Sequence, residues 1–160
     1  PVIGHLRELC YPLPVEELLQ EAASIKEKSK PYTDSRYPDY ALETWKILKH
    51  DSPLLDKIME DFGVKGSPRY YWQDANSTLP MHTDNGTTCS INFVLTPNPA
   101  PVTIEEEDYV YTQCLLNTTK LHGVKTTDED RLLFTISIFD ESFEDLAKRL
   151  PYIKDSVSGL

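Results

Sequence analysis

The sequence predicts an α+β fold with a jelly-roll-like antiparallel core, and three observations predict it. Before residue 66, apolar residues recur at helical spacing. From Gly66-Ser67-Pro68 to Asp140 the chain breaks into short β-rich segments separated by turn residues. No internal repeat and no long linker divides it, so helices and sheet belong to a single domain over residues 1–160. A chain of 160 residues is long enough to bury one sizeable core.

Taken in order, residues 1–13 have mixed polarity and read as loop. Pro14 suits a first helical turn. Val15, Leu18, Leu19, Ala22 and Ile25 then mark an amphipathic helix ending near Lys30-Pro31, with Glu16, Glu17, Glu21 and Lys26 on its other face. Residues 31–40, rich in Pro, Tyr and Asp, read as a loop. Leu42, Trp45 and Leu48 indicate a short second helical turn. Ser52-Pro53 starts a further helix whose stripe is Leu54, Leu55, Ile58, Met59 and Phe62, stopped by Gly63. Residues 1–65 are therefore expected to form helical support packed on one face of a β core spanning 66–140. Strands are expected over 69–73, 79–84, 88–95, 102–106, 109–116, 120–124 and 132–139, the spacing of a sandwich or barrel. Asp84-Asn85-Gly86 and Pro97-Asn98-Pro99 are the sharpest turn signals. Residues 142–150 form a closing helix with Phe143 and Leu146 one turn apart, and 141–160 is that helix plus a tail.

The formal net charge is −10 and no run of Lys or Arg stands out, which disfavours a nucleic-acid partner. No apolar run approaches membrane-spanning length, and the N-terminus has no signal-peptide pattern. Cys10, Cys89 and Cys114 are odd in number, widely spaced and form no CxxC, as expected of a cytoplasmic or other reducing intracellular compartment. Three glycosylation sequons, at Asn76, Asn85 and Asn117, read as chance. His5 and His50 are expected at the surface, and Glu105-Glu106-Glu107-Asp108 as a solvated turn.

The chemistry is concentrated between His82 and Arg131. In a strand, His82 and Asp84 share a face, roughly 7 Å apart. A second imidazole, His122, completes a two-His-one-carboxylate set, which leaves one side of an octahedral metal open. Arg131 follows His122 by nine residues and heads an otherwise apolar strand. A buried Arg there needs a partner, and a carboxylate serves it in bidentate fashion.

This order, His-x-Asp, distal His, nine residues to Arg, then a strand ending Phe139-Asp140, resembles the 2-oxoglutarate- and Fe(II)-dependent oxygenase superfamily, in particular its prolyl-4-hydroxylase-like branch. The resemblance covers residues 70–140. It implies a double-stranded β-helix, or jelly-roll, core. It implies that His82, Asp84 and His122 hold Fe(II) and that Arg131 pairs with the distal carboxylate of 2-oxoglutarate. Thr135 matches a hydroxyl position beside that Arg, and Asn92 and Tyr71 are candidates for holding the cosubstrate. Which of Tyr70, Tyr71 and Trp72 faces inward stays open. The implied reaction hydroxylates a C–H bond of a prolyl or other amino-acid residue, or of a small metabolite. It consumes O2, releases succinate and CO2, and admits ascorbate as an accessory. Halogenating members lack the Asp84 carboxylate, which favours hydroxylation. The chain departs from the pattern at Val94, where the branch carries a tyrosine, and in lacking a Gly-Gly-x-Leu segment. Two other readings compete: a non-catalytic jelly-roll binding module, and a cupin-like metal protein. Cupins usually offer His-x-His plus a glutamate, and neither reading gives Arg131 a role.

Overall fold

The computed structural model describes residues 3–97, 101–125 and 128–154. The expected turn at Pro97-Asn98-Pro99 and the last six tail residues fall wholly or partly outside them. Eleven strands and three α-helices occur among the described residues. In chain order they are β1 (Leu6–Glu8), α1 (Val15–Ile25), β2 (Lys30–Asp34), β3 (Tyr37–Lys49), α2 (Pro53–Phe62), β4 (Ser67–Gln73), β5 (Leu79–His82), β6 (Cys89–Val94), β7 (Val102–Ile104), β8 (Glu107–Tyr109), β9 (Gln113–Leu116), β10 (His122–Val124), β11 (Arg131–Ile138) and α3 (Phe143–Arg149). They form two antiparallel sheets, a seven-stranded one ordered β1-β9-β6-β11-β4-β3-β2 and a four-stranded one ordered β5-β10-β7-β8.

The helices predicted between Ser52-Pro53 and Gly63 and over 142–150 are present as α2 and α3 and capped as their sequences require. The Ser52 hydroxyl accepts from the Leu55 amide, and Gly63 closes α2 in the left-handed conformation. The Ser142 hydroxyl accepts from the Asp145 amide.

Three expectations for residues 1–65 are corrected. The helical turn around Leu42, Trp45 and Leu48 is part of the long strand β3, and the loop at 31–40 is a hairpin of β2 and β3. Leu42, Trp45 and Leu48 fit a helical stripe, yet β3 is fixed by pairing Trp45 to Lys49 with Gln73 to Arg69 of β4. Tertiary pairing overrides a weak local pattern. Residues 6–8, read as loop, pair with β9 and extend the sheet edge. The first 65 residues therefore add three strands to the large sheet as well as two helices.

Alternation along the central strands gives the large sheet two unlike faces. Tyr70 and Trp72 on β4, Ile91 and Phe93 on β6, and Phe134, Ile136 and Ile138 on β11 join one buried apolar cluster with Leu18 and Ala22 of α1, Leu55 and Phe62 of α2, and Leu146 of α3. Phe93 and Phe134 stack with ring centroids 5.6 Å apart. The residues between them, Arg69 and Tyr71, Ser90 and Asn92, and Arg131, Leu133, Thr135 and Ser137, line a cavity of about 870 Å³ together with residues of β5, β7 and β10. Gly123 sits where β10 runs against β5: a Cβ there would lie 2.7 Å from the Leu79 carbonyl oxygen.

Candidate metal centre

His82 ends β5 and His122 begins β10, and the two are directly opposite in register. Cross-strand neighbours on one face come close, and here the ring centroids are 4.4 Å apart. Asp84 lies beyond the strand end, so strand alternation alone does not place it. Its amide donates to the Thr118 carbonyl (3.2 Å), and the Thr118 hydroxyl donates to the Thr87 carbonyl (2.9 Å). These bonds fold the turn back, with Gly86 at φ +89°. The Asp84 Oδ1 atom then stands 3.3 Å from His82 Nε2 and 3.1 Å from His122 Nε2. Ligand atoms of all three residues lie within 4.8 Å of one another, the one such group among the described residues.

The donor set fits a divalent cation. Nδ1 of His82 donates to the Pro80 carbonyl and Nδ1 of His122 to the Lys120 carbonyl, both at 2.7 Å. Each bond fixes the tautomer that leaves Nε2 with its lone pair. Two such lone pairs aimed at one carboxylate oxygen repel it unless a proton or a metal ion stands between. Burial opposes ionisation of Asp84, but the facing imidazoles hold its carboxyl down at about 2. Burial also opposes a charged His82, yet Asp84 and the Pro80 carbonyl outweigh it and raise the imidazole above its ordinary value. The site is built to hold positive charge.

Across the cavity, Arg131 is buried at 3% exposure. Burial lowers its pKa, and the nearby Tyr111 phenol works the other way. Thr135 is on the same face of β11 and is paired in register with Asn92 on one side and Arg69 on the other. Its hydroxyl is buried with no hydrogen-bond partner among the described residues. On β4, Tyr71 lines the cavity while Tyr70 and Trp72 face the helices, which settles the facing the sequence left open. Asn92 accepts from the Ser90 hydroxyl (2.8 Å) and donates to the Tyr111 hydroxyl (3.3 Å). It thus orients Tyr111.

Tyr111 is one site residue that sequence reasoning missed. It stands between β8 and β9, is 5% exposed, and lines the same cavity as Arg131. Its only sequence signal was an aromatic within the expected strand 109–116, a segment that the structure divides between β8 and β9. Tyr32 was missed too, because β2 read as loop; its ring centroid is 6.1 Å from that of His82. The tip of the β2–β3 hairpin is tied to the His82–Asp84 turn. Arg36 pairs with Asp34 and donates to the Thr83 carbonyl, and Asn85 donates to Ser35.

The remaining expectations resolve simply. Glu105 to Asp108 are exposed, but only Glu105 and Glu106 form the expected turn; Glu107 and Asp108 belong to β8, where pairing with β7 extends the strand. Cys89 and Cys114 are buried and Cys10 is exposed, all as free thiols; burial pushes the Cys89 thiol up to about 11. His5 and His50 are half-buried rather than fully at the surface. His5 Nδ1 is 3.0 Å from the Tyr109 hydroxyl, and His50 packs beside Tyr70 and Glu21. Asn117 is buried, with its amide donating to the Gly4 carbonyl, which suits no glycan. No described helix is long and apolar enough to cross a membrane.

No protein-family model matches the sequence, and no curated protein matches it either. Solved structures do match the fold. A prolyl-4-hydroxylase from Pseudomonas putida superposes with a TM-score of 0.64 at 10% identity, over 84% of this chain and 92% of that one. A prolyl hydroxylase from Trichoplax adhaerens, solved with a hypoxia inducible factor peptide fragment, gives 0.65 at 15% identity, over 92% and 87%. The DMSP lyase DddQ from Ruegeria pomeroyi gives 0.57 at 10% identity, over 83% and 67%. At these identities the likeness is one of fold, shared by hydroxylases and a lyase alike. Function rests on the site itself.

Proposed function

We propose that this chain is an Fe(II)- and 2-oxoglutarate-dependent oxygenase that hydroxylates a C–H bond, on a double-stranded β-helix core. The observation that carries the reading is the pairing of two features in one cavity. A two-His-one-carboxylate cluster forms one wall, and the buried guanidinium of Arg131 stands on the opposite sheet.

When bound, the iron and the 2-oxo acid supply the oxidising chemistry, with succinate and CO2 as by-products. The protein's residues bind and orient. His82 and His122 offer Nε2, held by their Nδ1 bonds, and Asp84 offers a carboxylate that stays ionised. Arg131 takes the far carboxylate of the 2-oxo acid and so fixes its direction before reaction. Tyr111, steadied by Asn92, supplies the hydroxyl that Val94 does not, and Thr135 and Tyr71 line the passage between. Val102, Val124 and Leu133 add apolar wall to the cavity. The three free thiols fit a reducing compartment, and the acidic surface favours a small molecule or peptide over nucleic acid.

The test is anaerobic addition of Fe(II) and then 2-oxoglutarate, watching for the weak visible charge-transfer band of the chelate, with Arg131→Ala beside it. The expected result is a band in the wild type and weakened 2-oxoglutarate affinity in the variant. Folded protein with neither metal uptake nor band would overturn the reading and leave a jelly-roll binding module.

A further inference from the structure

The cosubstrate scheme leaves one cavity arginine without a role. Arg69 is on β4, opposite Thr135 of β11 on one side and Lys49 of β3 on the other. It lines the cavity, yet its Nε and Nη2 are buried with no hydrogen-bond partner among the described residues. Arg36 and Arg149, by contrast, are each paired with a carboxylate, Asp34 and Glu141. Burying guanidinium donors without an acceptor costs stability. A chain with 26 acidic residues has placed none of them in an ion pair with Arg69 among the described residues. The neighbour that does lie against Arg69 is the Tyr71 phenol, whose pKa burial raises and Arg69 opposes. Lys49 lines the same wall, so this corner is doubly cationic in a chain of net charge −10. Arg131 faces Gln73 in the register, four residues before Thr135 on β11. At the strand rise this is roughly 13 Å of backbone, so the two cations stand in different rows.

We infer that Arg69, with Lys49 beside it, anchors a carboxylate of the prime substrate, so that the enzyme acts on an organic acid and not on a neutral molecule. The planar guanidinium fork matches a carboxylate in bidentate fashion. The word substrate rests on the oxygenase reading; the anion site at Arg69 does not. A free small acid and an acidic side chain of a peptide share this chemistry, and the test separates them.

The full chain, loaded with Zn(II) and saturating 2-oxoglutarate so that no turnover occurs, is titrated with N-acetylglycine and followed by saturation-transfer NMR. N-acetylglycinamide is the neutral control. The acid is expected to bind and the amide not. Arg69→Gln weakens the acid by about tenfold or more and leaves 2-oxoglutarate affinity unchanged, while Arg131→Gln does the reverse. N-acetylaspartic acid α-amide, titrated in parallel, offers only a side-chain carboxylate. If it binds more weakly than N-acetylglycine, the site takes a free acid; if more tightly, an acidic peptide. Arg69→Met, which keeps an apolar stem and removes the charge, is expected to raise the melting temperature of the ligand-free chain. Equal acid binding by wild type and Arg69→Gln, loss of 2-oxoglutarate affinity in Arg69→Gln, or a lower melting temperature in Arg69→Met each overturns the inference. Failure of 2-oxoglutarate to bind the wild type removes the oxygenase reading instead, and the N-acetylglycine titration on the metal-free chain still decides Arg69.

Discussion

On β11, Phe134 points at the helices and Thr135 at the cavity, and both are buried. The same division of faces holds for Tyr70 against the half-buried Tyr71 on β4 and for Ile91 against Asn92 on β6. The helix face is closely filled with rings and branched chains, and its polar atoms are satisfied, as where the Tyr70 hydroxyl donates to Glu21 at 2.8 Å. The cavity face carries Arg69 and Arg131, and there Nε and Nη2 of Arg69 and the Thr135 hydroxyl are buried with no hydrogen-bond partner among the described residues. One sheet therefore stabilises the fold on one side and gives up some stability to keep polar groups available on the other, a division expected of functional sites.

The sharpest break of that comparison is a pair of neighbouring substitutions. Phe134→Ala removes a fully buried ring stacked on Phe93, and should cost about 3–5 kcal/mol in urea unfolding. Thr135→Val removes a hydroxyl with no partner among the described residues, and should leave the metal-free stability unchanged or slightly raised. A large loss in Thr135→Val would mean that the cavity face is ordinary core.

Asp84→Ala tests the cavity face without touching the other. Metal affinity, read by Mn(II) or Zn(II) titration calorimetry, should fall by more than the roughly 10–100-fold typical of losing a supporting partner. Iron-dependent succinate formation should vanish. Helical circular dichroism should stay as in the wild type, and unchanged succinate production would sink the ligand assignment.

Gly123→Ala is a milder probe of how the second sheet presents its histidines. The added methyl meets Leu79 backbone at 2.7 Å and Met81 backbone at 3.0 Å, so β10 must move off β5. An overpacking loss of about 1–3 kcal/mol is expected, with weaker metal binding because His122 and His82 part. Full metal affinity in a destabilised variant would show that the pair does not depend on this close approach.

The smallest effect is a pH signature. The folded His82 pKa is raised, so its contribution to metal-free stability is present below its unfolded value of about 6.5 and is lost as pH rises through the folded value. Asp84 is depressed to about 2, so its contribution is present above about 3.9 and is lost as pH falls through 2. A bound divalent ion replaces the proton at Nε2. Metal should therefore cancel the alkaline loss, and its affinity should fall as pH drops below the raised His82 value, with proton release on binding. Melting temperatures with and without Zn(II) between pH 5 and 9 check both signs.

Legibility in the sequence followed the range of the interactions. Periodicity and capping are local, so α2 and α3 and the strands around His82, Asn92, His122 and Arg131 could be read from residue types alone. The His82, Asp84 and His122 cluster was legible because His-x-Asp, a distal His and a spaced Arg are themselves a pattern. The β2–β3 hairpin was not, because the β4 residues that pair with β3 lie 20 to 28 residues on and its own residues fit a loop or a helical turn equally well.

What the sequence determined by itself, then, was which side chains alternate on each strand and which three residues are candidates for a metal site. Which face of β4 turns inward was decided only by tertiary structure, since burial of Tyr70 and Trp72 under α1 and α2 leaves Arg69 and Tyr71 the cavity. So were the meeting of Asp84 with both imidazoles, made by the bond to Thr118, and the arrival of Tyr111 beside Asn92. The physical reason is the same in each case. A strand's pattern fixes two alternating sets, but only contact with the rest of the chain decides which set is buried against helices and which against a site.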